Sequence, residues 1–124
     1  MLPRVLHVLV PEPPGELGGA DLHVLDLAAY QALAGHRPMI AERGSPEFAA
    51  RARAAGLDVA SASGIGFHEA VRLLAQWVDE ARADVVHAHG YDADYWATAT
   101  KLCRPGAFHG RRLVFTQHGV VEDT

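Results

Sequence analysis

His87 and His89 stand one residue apart at the end of the short apolar run Asp84–His89, and Gly90 follows them directly. Alternate residues of a strand share one face, so both imidazoles point the same way if the run is a strand. Asp92 and Asp94 then fall in the first turn of a helix-like segment. His-x-His together with Asp92, Asp94 or His118 can supply three metal ligands. The plainer alternative has one histidine hydrogen-bonded inside and the other solvated at the strand end. In that case the two acids need no metal, because a helix dipole stabilises first-turn carboxylates by about 0.3–1 kcal/mol.

Two further stretches carry chemistry. Gly15-Glu16-Leu17-Gly18-Gly19 precedes a long helix, and free backbone N–H groups at such a turn suit phosphate or carboxylate. It lacks the Gly-x-Gly-x-x-Gly order of a dinucleotide site. Glycine-rich turns also serve to let a strand and a helix pack closely. Thr116-Gln117-His118-Gly119 closes another apolar run and puts a histidine at a strand terminus, where it can face a ligand.

The elements that must position these groups alternate regularly. Arg4–Val10 is a strand closed by the breakers Pro11 to Gly15. Ala20–Ala34 is a helix with Leu22, Leu25, Ala29 and Leu33 along one face, ended by Gly35. Pro38–Ala41 is a short strand, with its proline at the beginning. Ser45 and Pro46 start a second helix, which runs to about Ala55 and is closed by Gly56. Leu57–Ala60 is a third strand, and Phe67–Ala83 a helix with Val71, Leu74, Val78 and Ala81 on its inner face. The strand Asp84–His89, a helix from about Asp92 to Leu102, and the strand Arg112–Gln117 complete the series. Such alternation implies right-handed crossovers: an α/β, Rossmann-like three-layer sandwich with a parallel sheet of about five strands in the order 3-2-1-4-5. All three candidate stretches then emerge at the carboxyl edge of the sheet, where open α/β folds bind ligands. Tyr91 is close enough to that edge to line a pocket, whereas Tyr95 and Trp96 read as packing residues.

Composition narrows the classes of function. The 124 residues form one domain, with 49% hydrophobic and 21% charged residues, as in a folded globular protein. A net charge of -4 argues against a nucleic-acid partner. The single cysteine, Cys103, makes no intrachain disulfide and fits a reducing cytoplasm. No apolar run is long enough to span a bilayer, and the opening residues, broken by His7 and Pro11, are not a secretion signal. Arg51 and Arg53 offer only a thin basic patch for peripheral contact with an inner membrane face.

Taken in order, the motifs resemble the amino-terminal, acceptor-side domain of a GT-B glycosyltransferase, most closely family 4. The matching stretches are Arg4–Val10; Gly18-Gly19-Ala20-Asp21-Leu22-His23; Leu33-Ala34-Gly35-His36; Arg53 to Val59; Ala83 to Gly90; and Val114 to Gly119. The resemblance implies retaining transfer of a sugar from a nucleotide-sugar donor, with no catalytic metal and no cofactor beyond that co-substrate. It implies that Gly18 and Gly19 approach the donor phosphates and the acceptor, and that His118 is the catalytic-centre contact to the donor sugar, with Gln117 beside it. His89, Gly90 and Tyr91 then line the side of the cleft that takes a carbohydrate, lipid or small-molecule acceptor.

Against the family pattern, Asp21 replaces the usual glutamate and Pro38 is unusual at the start of the second strand. No E-x(7)-E pair and no donor-binding carboxyl-terminal domain are present, so the sequence reads as incomplete relative to a full GT-B amino-terminal domain. The missing half is expected in cis or in trans. A sheet ending at its fifth strand also predicts a bare edge and association between copies. Two alternatives stay open: a small hydrolase with a metal at His87, His89 and His118, and a flavodoxin-like module that holds a phosphorylated ligand.

Overall fold

A computed structural model of the chain describes residues 2–11, 19–117 and 120–123. The elements run β1 (Val5–Leu9), α1 (Gly19–Leu33), β2 (Met39–Glu42), α2 (Pro46–Ala54), β3 (Asp58–Ser61), α3 (Phe67–Glu80), β4 (Val85–His89), α4 (Tyr91–Cys103), a 3-10 turn (Pro105–Phe108), β5 (Arg112–Gln117) and β6 (Val120–Asp123). The sheet order is β3-β2-β1-β4-β5-β6, and β1 to β5 are all parallel. The five-strand order read from the sequence is therefore the order found.

β6 departs from that reading. It pairs antiparallel to β5, with Gln117 opposite Val120. The β5 edge expected to be bare is therefore covered by the chain's own next residues, which begin with the β-branched pair Val120-Val121.

Alternation along the strands divides the core in two. Leu6, Val8, Val86, Ala88 and Leu113 point to the α3/α4 side, where they meet Leu74, Trp77, Val78 and Trp96. Trp96 donates its indole N–H to the carbonyl of Ala70 at 2.9 Å and packs edge-on against Trp77. Its one polar group is thus satisfied inside apolar packing. On the other side Leu9 and Ile40 pack against Val24 and Ala28 of α1 and Phe48 and Ala52 of α2.

The inner face of α1 differs from the one its leucines suggested. Asp21, Val24 and Ala28 are buried, while Leu22 is 40% and Leu33 89% exposed. This helix is apolar on most of its circumference, so spacing does not select a face, and sheet packing does. On α3 the apolar residues gather on one side, and Val71, Leu74 and Val78 are buried as read, while Ala81 falls just past the end of the helix and is half-buried.

Caps and turns follow local chemistry. Ser45 caps α2 by accepting the Phe48 N–H at 3.1 Å. Glu42, fully buried at the end of β2, accepts the Ser45 N–H at 3.0 Å and the hydroxyls of Ser61 and Ser63. One carboxylate thereby joins the ends of β2 and β3 to the start of α2. No helix among the described residues is long and apolar enough to cross a membrane.

Candidate functional site

The carboxyl ends of β1, β4 and β5 lie side by side. Leu9 is in register with His89, and His89 with Thr116. Gly90 follows at φ +91, a conformation that L side chains rarely adopt, and donates its N–H to the Thr116 carbonyl at 3.0 Å. This contact turns the chain from β4 into α4 while holding the end of β4 against β5. Tyr91, the first residue of α4, is 70% exposed, with its ring 6.0 Å from that of Phe115.

Of the residues singled out by sequence, His89, Gly90 and Tyr91 therefore meet at one edge, and Gln117 ends the neighbouring β5. Gly19 is the first residue of α1, whose strand β1 ends at the same edge. Gly18 and His118 lie outside the described residues.

Side-chain geometry adds a residue that sequence reading had passed over. His7, in the middle of β1, is in register with His87, so adjacent parallel strands put His7, His87 and His89 on one face of the sheet. His87 and His89 stack with ring centroids 3.9 Å apart. Nδ1 of His7 lies 2.9 Å from Nε2 of His89, and Nε2 of His7 lies 2.7 Å from Oε1 of Gln31 on α1. An amide oxygen only accepts, so His7 carries its proton on Nε2, and its bare Nδ1 accepts the N–H of His89. Nε2 of His87 meets the hydroxyl of Thr116 on β5. The three imidazoles are thus tied to α1 and β5 as well as to one another.

Burial keeps them uncharged. Desolvation, reinforced by the neighbouring imidazoles, pushes His87 down to about 4 and His89 down to about 2. Desolvation also lowers His7, partly offset by its bond to Gln31. At neutral pH the cluster offers neutral imidazoles, able to donate and accept hydrogen bonds or to ligate an ion.

Asp92 and Asp94 are not in this cluster. Asp94 accepts the Thr98 hydroxyl at 3.3 Å, one turn along its own helix, and the third nitrogen comes instead from His7 on β1. A signal for His7 was present in the sequence: it is the lone polar residue inside the apolar run of β1, at the position that pairs with His87 once β1 and β4 are neighbours.

A hollow of about 470 Å³ lies at the opposite, amino edge, lined by Arg4, Arg37, Asp58 and Glu80 among others. It collects mixed surface charges and none of the histidines. Polar groups converge at the carboxyl edge, which is where crevices of this fold class take ligands.

Comparison with known proteins places the chain. A profile described as Glycosyltransferase Family 4 matches residues 17–123. No curated protein matches it in sequence. Among solved structures it is similar to Anabaena Alr3699/HepE in complex with UDP and glucose, at 20% identity and a TM-score of 0.62, covering 92% of this chain and 29% of that one. The same protein in complex with UDP gives 20% identity and a TM-score of 0.63, covering 90% and 28%. These likenesses show the fold, and the chain spans less than a third of the length of either structure.

Proposed function

The chain belongs to glycosyltransferase family 4, and from that premise we propose that it supplies the acceptor-side part of a transferase using a nucleotide-sugar donor. The profile match over residues 17–123, running from the start of α1 through β6, carries this reading. HepE is described with UDP and with glucose, which supports a nucleotide-sugar donor here. The family resemblance adds retention of configuration and transfer without a catalytic metal.

In this reading Gly19, at the start of α1, and Gly18 before it in the sequence offer N–H groups to the donor phosphates. His118 and Gln117 approach the donor sugar, while His89, Gly90 and Tyr91 face the acceptor. Neutral His89 suits that task, since with its Nε2–H given to His7 it keeps a bare Nδ1 that accepts from a sugar hydroxyl. Gly90 lets the backbone come close to the ligand where a side chain would intrude.

Magnitude decides how much of the reaction these groups can perform. Enzymes lower barriers by about 8–23 kcal/mol, largely through groups arranged around the transition state. A helix terminus contributes at most about 2 kcal/mol toward an anion. The groups on this chain form one wall of a cleft, and a second, donor-binding domain, joined or separate, must supply the other.

The test combines turnover with mapping. The purified chain alone is expected to release no sugar from UDP-glucose. In amide-shift titrations, monosaccharides and inositols are expected to perturb Gly19, His89, Gly90 and Gln117. Turnover by the chain alone overturns the half-cleft reading. Saturable shifts confined to Arg37–Met39 and Asp58 would move the ligand site to the amino edge and overturn the assignment.

A further inference from the structure

We propose that His7, His87 and His89 form a three-histidine site for a divalent transition-metal ion, zinc or cobalt by its chemistry, set in the sheet face beneath α1. The site shares His89 with the acceptor wall proposed above, and its ion takes no part in sugar transfer, which uses no metal in that reading.

One ring nitrogen from each histidine lies within 4.8 Å of the other two, and Nδ1 of His7 is 2.9 Å from Nε2 of His89. Around a tetrahedral zinc, with Zn–N of about 2.0–2.1 Å, ligand nitrogens stand about 3.3 Å apart. Loading the site thus means opening the His7–His89 contact slightly and drawing the third nitrogen inward. Side-chain rotation suffices for that, because β1 and β4 are already locked in register.

Two ligands already have the outer partners that metal sites use. A metal-bound histidine usually gives its other N–H to an oxygen, which fixes the tautomer and turns the free nitrogen toward the ion. Gln31 Oε1 does this for Nε2 of His7, leaving Nδ1 for the ion. The Thr116 hydroxyl holds Nε2 of His87 and leaves the other nitrogen free to bind. His89 need only move its proton from Nε2 to Nδ1, a tautomer change that leaves the imidazole neutral. Imidazole donors favour zinc, cobalt, nickel or copper over magnesium and calcium, which prefer oxygen.

The surroundings give the site one way in. His7 is fully buried and His89 nearly so, whereas His87 is half-buried. Entry is therefore from the β4/β5 side, and the fourth coordination position would take water or an anionic oxygen.

The experiment uses the chain purified without a histidine tag or metal resin. Cobalt titration followed by visible absorption, then displacement by zinc, is expected to show one tetrahedral site per chain. His87→Asn, a change at the half-buried member, is expected to abolish that spectrum while far-ultraviolet dichroism stays unchanged. Gln31→Leu removes no ligand and is expected to weaken zinc by about 10–100-fold. His36→Ala combined with His109→Ala is expected to leave both readouts as they were. A spectrum that survives His87→Asn, one lost in the His36/His109 double variant, or no stoichiometric cobalt binding at all would overturn the site.

Discussion

The two faces of the central sheet are built from the same strands and used differently. Toward α3 and α4, β1 and β4 present Leu6, Val8, Val86 and Ala88, and the Trp77–Trp96 pair fills the space above them. Toward α1 the alternate positions carry Leu9, packed on Val24 and Ala28, and beside it His7, His87 and His89, linked by hydrogen bonds to Gln31 and Thr116. One face is apolar and insensitive to pH. The other keeps titratable groups uncharged by burying them, and its last member, His89, reaches the edge where ligands are expected.

The largest loss is expected on the apolar side. Trp96→Ala is expected to cost about 3–5 kcal/mol in a urea titration, because a large fully buried ring leaves a cavity that its neighbours cannot fill. The histidine titrations should not change. If they move, the two faces are coupled, contrary to the division drawn here.

A smaller effect is expected on the polar face. His7→Leu leaves His89 and Gln31 each without a buried partner, at about 1–3 kcal/mol. Adding Gln31→Leu should cost less than the sum of the two single changes, since both remove the same contact. Strict additivity in denaturant midpoints would show that the His7–Gln31 bond does not form.

Protonation sharpens the same contrast. The folded chain lowers the histidine pKa values from their ordinary 6.5, so below about pH 6.5 the unfolded state binds more protons. Stability is full above that pH and falls between about 6.5 and 4, the window set by His87. Denaturant midpoints measured across the window should decline, and less steeply in His87→Asn. A flat profile would mean that the imidazoles are solvated.

A purely local effect is expected at the turn between β4 and α4. Gly90→Ala puts a Cβ where nothing lies within 4 Å, so its cost is conformational, about 1–3 kcal/mol for a backbone at φ 91 and ψ 168, a region essentially reserved for glycine. A thermal melt identical to that of the parent chain would show that the turn relaxes.

What could be read in advance was what local chemistry determines. The capping serine, the glycines that end helices and the shared face of His87 and His89 all follow from neighbours in sequence. The parallel class followed from the alternation of elements, while the 3-2-1-4-5 order is one of two common orders that such alternation permits. Features that needed distant partners escaped. His7 gains meaning only when β1 lies beside β4, 80 residues later in register. Glu42 is buried because serines from two separate turns converge on it, which no periodicity announces. The face of α1 was misread because its leucines surround the helix, so the sheet chose between nearly equivalent sides.

In the function proposed above, the carboxyl edge contacts sugar through His89. Imidazole nitrogen resonances recorded during titration with monosaccharides and inositols test it most directly. The account predicts saturable shifts at His89 and none at His36 or His109. Saturable binding that moves His36 or His109 and leaves His89 untouched would contradict it.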